Sequence, residues 1–436
     1  MDNKLYLGVS RIDITPKIGA DLYGYAPDMK SVAVHDNLTA TAFYFTCGET
    51  KALMLSLCVC SINTKLCNGL VAQIDEKYGV PKGNIIVHCI HNHSGPNITG
   101  GIGWGGLDME YYNGIFLPAV LRVVGEAKKA PVAVKMGVAS GESFIGVNRR
   151  QLDNNNKVVL GQNPWGPFDP QMTVISFADE NGSPVANIVH YGMHGTCAGK
   201  SLEISRDWAG VMIDDLERQS GALTAFFNGA EGDVGPRLTN GLTTGQGDIS
   251  YAERHGALAA QDACRIYREI RSYKDAELTV FDGSVDIPLD NRISLEEAKA
   301  GYEKFKEYTI NLKAQKAHYY KTQIELYESG YVEEGFRTVP QTIVKIGDVA
   351  FVSFPYEIFS EISMRIAKER KAPYTLSLSN TNGSEGYFVT EDQICRGGYE
   401  IDMFKTGYCQ PYANKADWHL VTETLENLDK INEKGE

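Results

Sequence analysis

Short apolar runs alternate with amphipathic stretches along the first part of the chain. Leu38–Cys47 and Ala52–Cys60 are rich in Thr, Phe, Leu and Val, and the Gly-Glu-Thr segment between them is typical of a turn, so both runs predict strands. Cys67–Tyr78 has the apolar spacing of a helix and ends before a glycine and a proline. Asn84–Ile90 is a short, largely apolar run of the kind found in buried strands.

The same alternation continues towards the middle of the chain. It predicts strands at Val132–Val138, Met172–Ala178, Ala186–His190 and Leu223–Phe227, and helices at Glu110–Ala127 and Ile249–Ile270. Strands that alternate with helices predict an α/β fold, in which a layered mixed sheet is flanked by helices and much of the sheet is parallel.

The stretch Ser294–Gly330 differs from its surroundings. It is rich in Lys, Glu, Tyr, Gln and Ala, with aromatic residues at helical spacing, and it predicts a long helix or a helical hairpin inserted into the α/β unit. We interpret the insertion as a packing or dimerisation element. The alternative is a lid over a substrate pocket.

The C-terminal part returns to the earlier pattern. It predicts two strands within Thr342–Phe354, a helix over Glu357–Arg370 and a strand at Thr375–Ser379. The chain contains no internal repeat, low-complexity tract or linker-like segment. We therefore predict a single domain over residues 1–436 that carries the helical insertion at 294–330.

Charge and cysteine content restrict the partners of the chain. A net charge of −13 disfavours nucleic acid and anionic membranes. No apolar run approaches the roughly 20 residues of a membrane span, and the N-terminus shows no signal peptide. The nine cysteines cannot all pair, and Cys58 and Cys60 are predicted to lie buried on one strand face. We expect a cytoplasmic protein with a small-molecule substrate, no nucleic-acid partner and no stable membrane insertion, and we leave a homo-oligomer open.

The clearest chemical signal is the His-Asn-His-Ser-Gly-Pro segment at His91–Pro96, directly after the apolar run that ends at Ile90. In extended geometry, residues two apart face the same side. His91 and His93 are therefore predicted to point into one cavity at the carboxyl end of a strand. The alternative is a pair of capped or solvated histidines.

Two further polar loops follow predicted strands. His190–Thr196 contains two histidines among glycines, which let a backbone approach a ligand closely; His194 suits a third nitrogen ligand, and His190 is expected to pack within its strand. Phe227–Arg237 is a glycine-rich loop with two carboxylates. Imidazoles with a carboxylate or phenolate suit zinc, which lowers the pKa of bound water from about 15.7 to about 7.

Several segments together resemble the catalytic domain of the neutral/alkaline non-lysosomal ceramidase family. They occur in the family's order and span nearly the whole chain. The segments are Gly8–Pro16 with Leu22–Ala26, His91–Pro96 with Asn92 in place of a threonine, His194–Thr196, Gly232–Pro236, Pro355–Glu357, and Gly386–Thr390 with Tyr399 and Glu400.

The resemblance implies a single zinc site and an amide-cleaving reaction centre. The four implied zinc ligands are His91, His194, Glu357 and Tyr387. The resemblance also implies that His93, Arg149 and Tyr399 line the reaction centre. In that reaction a water held by zinc attacks an amide carbonyl, and these three side chains stabilise the oxyanion and help to protonate the leaving amine.

The sequence departs from the family at Gly235, where the family carries a serine that has been discussed as a nucleophile. This departure favours water as the nucleophile, and a small or soluble N-acyl substrate over ceramide. Two other functions stay open. One is zinc-dependent cleavage of an ester, lactone or glycosidic bond, and the other is a catalytically inactive binding protein on the same scaffold.

Overall fold

The computed structural model describes residues 4–238, 245–369 and 371–433. The strands are β1 (Leu5–Asp13), β2 (Ala33–Val34), β3 (Thr39–Cys47), β4 (Thr50–Leu57), β5 (Ile85–Cys89), β6 (Val132–Glu142), β7 (Gly146–Leu152), β8 (Val158–Asn163), β9 (Gln171–Asp179), β10 (Pro184–Tyr191), β11 (Glu203–Ile204), β12 (Leu223–Asn228), β13 (Val234–Pro236), β14 (Leu278–Pro288), β15 (Phe336–Ile346), β16 (Val349–Ser353), β17 (Glu357–Ile358), β18 (Tyr374–Leu378) and β19 (Tyr387–Phe388). The helices are α1 (Thr64–Tyr78), α2 (Met109–Tyr111), α3 (Leu117–Lys129), α4 (Asp207–Ser220), α5 (Ile249–Arg268), α6 (Leu295–Phe305), α7 (Asn311–Ser329), α8 (Ser360–Lys368), α9 (Glu391–Ile394), α10 (Tyr399–Thr406) and α11 (Ala416–Glu433), with a 3₁₀ turn at Lys82–Asn84 and a π-helical segment at Tyr112–Phe116. Within the described ranges, no helix combines the length and the apolar character needed to cross a membrane.

An eight-stranded mixed sheet forms the centre of the fold, in the order β12-β10-β9-β6-β1-β3-β4-β5. The outermost pairs, β12 with β10 and β4 with β5, are parallel, and the five pairings between them are antiparallel. The prediction that much of the sheet is parallel is therefore wrong. For two of these pairings, β3 with β4 and β9 with β10, the reason is local, because tight turns at Gly48 and Gly182, both with positive φ, join the strands directly as hairpins.

The main sheet curls so that its two edge strands approach each other. The backbone N–H of Asn228, at the end of β12, donates to Nε2 of His88 on β5 at 2.9 Å. The Ser56 hydroxyl on β4 donates to the carbonyl of Phe226 on β12 at 2.7 Å. Burial lowers the pKa of His88 to about 3, so its neutral ring can accept this bond. The curl brings the loops that follow β5 and β10 into contact.

Helices and a second sheet cover the two faces of the main sheet. Along β3, Ala42 and Tyr44 face a core shared with α1, α3, α4 and α5, whereas Phe43 and Phe45 face the four-stranded sheet β14-β15-β16-β18. Both sides of β3 are thus buried, which explains its nearly continuous apolar run. The helices α8 and α11 cover the outer side of the second sheet. The predicted layered mixed sheet flanked by helices is confirmed.

The insertion at 294–330 is a hairpin of two helices. A capping box between Ser294 and Glu297 starts α6, and a left-handed Gly330 follows the end of α7. On α7, Lys316 forms an ion pair with Asp402 of α10 at 2.7 Å. The hairpin therefore packs on α10 of its own chain.

The helix predicted over Glu357–Arg370 begins later, as α8 at Ser360. Glu357 and the residue after it form β17, which pairs in parallel with β19. The backbone N–H of Ser360 donates to the Asp233 carboxylate at 2.8 Å and so satisfies a free donor at the start of α8. Arg370 lies outside the described residues.

Candidate metal centre

His91 and His93 lie in the loop that follows β5. The strand ends at Cys89 and His91 has a left-handed φ of 64°, so the extended geometry predicted for the two histidines is wrong. The loop is held by the backbone N–H of His93, which donates to the carbonyl of Gly195 at 3.0 Å. The Nε2 atoms of the two histidines nevertheless lie 3.3 Å apart, and both side chains line one cavity.

His194 lies three residues beyond β10 and is buried. Its Nδ1 donates to the carbonyls of Glu231 at 2.8 Å and Val234 at 3.1 Å, so Nε2 carries the lone pair. Burial, and then the charge of Arg149, lower the pKa of His194 to about 3, which keeps the ring neutral. His190 lies within β10, and its Nε2 contacts the carbonyl of Ser377 at 2.9 Å instead.

Glu357 and Tyr387 are brought together by the pairing of β17 with β19, in which they are direct partners. The Oε2 atom of Glu357 lies 3.4 Å from His91 Nε2 and 3.2 Å from His194 Nε2. The Tyr387 hydroxyl lies 3.4 Å from His194 Nε2. The four predicted zinc ligands thus converge on one point, although they come from four separate segments.

The donor set at this point fits a metal ion. His91 Nδ1 faces the carbonyl of Cys60 at 3.1 Å, so Nε2 of His91, like that of His194, is directed towards the ionised Glu357. Burial opposes the charge of Glu357, but His91 and His194 hold its pKa well below the ordinary value. Separations of 3.2 to 3.4 Å exceed the roughly 2.7–2.9 Å of a charge-assisted hydrogen bond. One proton can serve only one of these contacts, whereas a cation in the centre serves all of them.

Arg149 lies behind Tyr387 and is fully buried. Its Nη2 donates to the Tyr387 hydroxyl at 2.9 Å and its Nε to Glu400 Oε1 at 2.8 Å. The other oxygen of Glu400 accepts a hydrogen bond from Nη1 of Arg150 at 2.6 Å. Although burial opposes its charge, Tyr387 and Glu400 hold the pKa of Arg149 above the ordinary value. The guanidinium is thus fixed where it favours a negative charge on the Tyr387 oxygen.

A cavity of about 360 Å³ opens beside the converging ligands. His93 and Tyr399 line it, together with His91, Glu357 and Tyr387. Sequence reasoning assigned no role here to several other lining residues, among them Tyr23, Gly24, Cys60, Trp104, Gln315 and His318. For Tyr23 and Gly24 a signal existed in the Leu22–Ala26 segment, and for Gln315 and His318 in the lid alternative for the insertion. Cys60 lies three residues beyond the end of β4, so the prediction that it lies on a strand is wrong.

The neutral/alkaline non-lysosomal ceramidase family, in its N-terminal part, matches residues 5–255, more than half of the chain. The chain belongs to this family. Neutral ceramidase A of Dictyostelium discoideum is 26% identical over 273 residues, which cover 56% of this chain and 38% of that protein. Neutral ceramidase of Pseudomonas aeruginosa is 26% identical over 260 residues, which cover 53% of this chain and 37% of that protein. The matched stretch is therefore less than two fifths of either relative's length.

Solved structures of ceramidases share the fold. The crystal structure of the Pseudomonas aeruginosa neutral ceramidase superposes with a TM-score of 0.71 at 19% identity, covering 98% of this chain and 74% of that one. A ceramidase complexed with C2 superposes with a TM-score of 0.73 at 16% identity, covering 99% of this chain and 76% of that one.

The glycine-rich loop at 227–237, which includes the ceramidase-like Gly-Asp-Val motif, holds two ligand segments in place. Its carbonyls orient His194, and its Asp233 carboxylate accepts from the backbone of Ser360, three residues after Glu357. Burial raises the pKa of Asp233 to about 7. Gly235, which replaces the family serine, lies on β13 opposite Val147 of β7. The loop therefore supports the site through its backbone and one carboxylate.

Gly24 of this ceramidase-family chain lies against His93, and we expect Gly24→Ala to lower kcat/KM about 10²-fold. A Cβ at Gly24, which has φ +121°, would lie 2.2 Å from His93 Nδ1 and displace that ring. Gly19→Ala is the matched control, because Gly19 also has a positive φ of +95° but open space around its Cβ position. Steady-state kinetics on both folded variants checks this. Equal activity in the two variants would show that the contact with His93 does not matter.

Proposed function

We propose that this chain is a zinc-dependent hydrolase that cleaves the amide bond of an N-acyl substrate. The observation that carries the proposal is the convergence of His91 Nε2, His194 Nε2 and Glu357 Oε2, two imidazole nitrogens and one carboxylate oxygen that meet at a single buried point. Membership of the ceramidase family supports amide hydrolysis as the reaction class.

In this proposal His91, His194, Glu357 and Tyr387 hold the ion. Zinc bound there would supply a Lewis acid and lower the pKa of a water from about 15.7 to about 7. Nitrogen and oxygen donors of this kind suit zinc, and other divalent ions are the alternatives that the experiment below compares.

His93 and Tyr399 face the substrate in this proposal. Burial, with the neighbouring His91 and His194, holds the pKa of His93 well below its ordinary value, so its ring is neutral and can form a hydrogen bond with the substrate. Burial also raises the pKa of Tyr399, which keeps its hydroxyl protonated as a donor to a developing oxyanion. Arg149 acts through Tyr387 as a positioning residue, since its guanidinium is engaged by Tyr387 and Glu400.

The substrate in this proposal is small or soluble. The cavity volume of about 360 Å³ is at the low end of the roughly 300–1,000 Å³ typical of small-ligand sites. Its lining includes many hydrogen-bonding side chains, which a long acyl chain would leave without partners. These two features favour a compact polar compound over a ceramide with long chains.

Metal analysis and chelation test the proposal. The full chain, purified without chelator, is expected to contain about one zinc per chain and to hydrolyse N-acetyl-4-nitroaniline. Removal of the metal should abolish turnover, and addition of zinc should restore it more fully than calcium or magnesium does. The matching 4-nitrophenyl acetate and 4-nitrophenyl glycosides test the ester and glycosidic alternatives. A metal-free protein, or activity unaffected by chelation, would contradict the proposal.

A further inference from the structure

The cavity beside the metal centre has an outer wall built by two segments that the reaction does not require. One is the loop at 100–107, which contributes Ile102 and Trp104, and the other is α7, which contributes Gln315 and His318. The backbone N–H of Asn311, the first residue of α7, donates to the carbonyl of Gly103 at 2.7 Å. The loop and the helix are therefore joined, and the wall is formed before substrate binds.

The polar side chains of this wall form few hydrogen bonds, and those hydrogen bonds are long. Trp104 Nε1 donates to Gln315 Oε1 at 3.4 Å, and Gln315 Nε2 donates to the Thr406 hydroxyl at 3.4 Å. Both distances are at the long end of the hydrogen-bonding range, so a ligand can replace either contact at little cost. The ring of His318 has no hydrogen-bond partner among the residues that the structure describes, and its side chain is exposed at the cavity mouth.

Another part of the cavity lining, at Ser384 and Glu385, is also polar. The Ser384 hydroxyl has no hydrogen-bond partner within the described part of the chain, and Ser384 lines the cavity next to Glu385. The Glu385 carboxylate forms an ion pair with Arg337 at 2.6 Å and accepts a hydrogen bond from the Thr64 hydroxyl at 2.9 Å. Its negative charge is therefore largely balanced. The cavity therefore offers several side chains that can form hydrogen bonds with a ligand.

The cavity lining also includes the apolar side chains Ile102, Trp104 and Met403, which are here called its apolar patch. A ligand that matches this cavity presents one apolar face and several hydroxyl groups at its edge. A pyranose ring has this amphipathic character, because its C–H groups form a face that packs on an indole while its hydroxyls point outwards. An alkyl chain matches the patch but not the polar groups around it.

We propose that the substrate is a short-chain N-acyl derivative of a hydroxyl-rich cyclic amine, an N-acylated amino sugar. Its ring lies against Trp104 with its hydroxyls at Gln315, His318 and Ser384. Its acyl group points towards His93 and the adjacent Gly24. This inference rests on the proposed amide hydrolysis. It assigns substrate selection to α7 and the loop at 100–107, which act as a specificity wall and not as catalytic groups.

The test compares two amides with the same acetyl group and a six-membered ring on nitrogen, using the zinc-loaded full chain. We expect kcat/KM for N-acetylglucosamine to exceed that for N-acetylcyclohexylamine about 100-fold, and N-acetylsphingosine to be the poorest of the three. The double variant Gln315→Leu/His318→Phe should raise KM for N-acetylglucosamine about 10–100-fold with kcat nearly unchanged. Gln73→Leu/His419→Phe is the matched control, because both of its residues are exposed and neither lines the cavity.

Calorimetric binding of N-acetylglucosamine to the zinc-loaded chain separates the two proposals. Binding that is lost in the double variant supports the specificity wall even if turnover fails. Hydrolysis of N-acetyl-4-nitroaniline together with a preference for the cyclohexyl or sphingosine amide would overturn the amino-sugar assignment and leave amide hydrolysis standing. No hydrolysis of any amide by the zinc-loaded chain would overturn the proposed function itself.

Discussion

Replacing His194 with alanine is expected to remove the metal and to lower kcat/KM for an N-acyl substrate more than about 10³-fold. His194 is neutral, since burial and Arg149 lower its pKa to about 3, and its Nε2 is aimed at Glu357. Without this nitrogen only one imidazole remains among the proposed ligands, so zinc binds more weakly and the Lewis acid is lost with the ion. Metal content by mass spectrometry and steady-state kinetics measure the two effects.

His190→Ala is the matched control for His194→Ala. The two histidines are four residues apart and both are buried, but the Nε2 of His190 contacts the Ser377 carbonyl and not the metal centre. We expect His190→Ala to lower stability and to retain one zinc per chain. A zinc content that falls equally in both variants would show that the loss follows from disturbed packing. Full zinc in His194→Ala would remove this residue from the ligand set.

Replacing Glu400 with alanine is expected to have the largest effect on stability, lowering the free energy of unfolding by about 3–5 kcal/mol. Glu400 is fully buried and accepts hydrogen bonds from both Arg149 and Arg150. Its removal leaves two guanidinium groups in the interior without their carboxylate. Because Arg149 also holds the Tyr387 hydroxyl, the same substitution should weaken metal binding. Urea unfolding of the chelated and zinc-loaded forms separates the two effects.

Glu126→Ala is the control for Glu400→Ala. Glu126 pairs with Arg122 at 2.7 Å on the surface of α3, where such a pair contributes little to stability because solvent screens it. Unchanged unfolding of Glu400→Ala relative to this control would mean that the two arginines find other partners. Arginine side chains that move in this way would be visible in a crystal structure of the variant.

Much of the architecture could be predicted from the sequence because the apolar runs are nearly continuous. Strand β3 is buried on both faces, so its run of apolar residues signals a central strand regardless of which neighbour it pairs with. The direction of pairing could not be read from such a run. For strands that are neighbours in the chain it follows from the turn between them, as at the Gly-Glu-Thr segment that joins β3 to β4.

Some residues of the candidate site could be predicted from the local sequence, and others could not. His91 and His194 each follow an apolar strand, and this position alone marks them as candidates. Their proximity depends on the curl of the main sheet, which is fixed by long-range contacts such as that of Asn228 with His88. Glu357 resembled an acid in the first turn of a helix, and only the family resemblance selected it. Its true position on β17 depends on pairing with a segment 30 residues further along the chain.

The cytoplasmic location, the single-domain organisation and the homo-oligomer stay predictions. So does a dimerisation role for the insertion, although α7 contributes to the cavity wall, as the lid alternative anticipated. Sequence reasoning could not choose between those two roles, because an amphipathic helix has the same apolar spacing whether it covers a core, a partner or a cavity.

Strands of both large sheets lead into the segments that carry the proposed ligands. His91 and His194 follow strands of the main sheet, whereas Glu357 follows β16 and Tyr387 follows β18 of the second sheet. An ion held by all four would therefore link the main sheet to the second sheet at one end. Metal binding would then raise the free energy of unfolding of the whole fold, by about 4 kcal/mol at a free zinc concentration of roughly 1,000 times Kd. Chelation should accordingly weaken the packing between the two sheets first. Faster amide hydrogen exchange at β5 and β16 would then be measured before any strand unfolds.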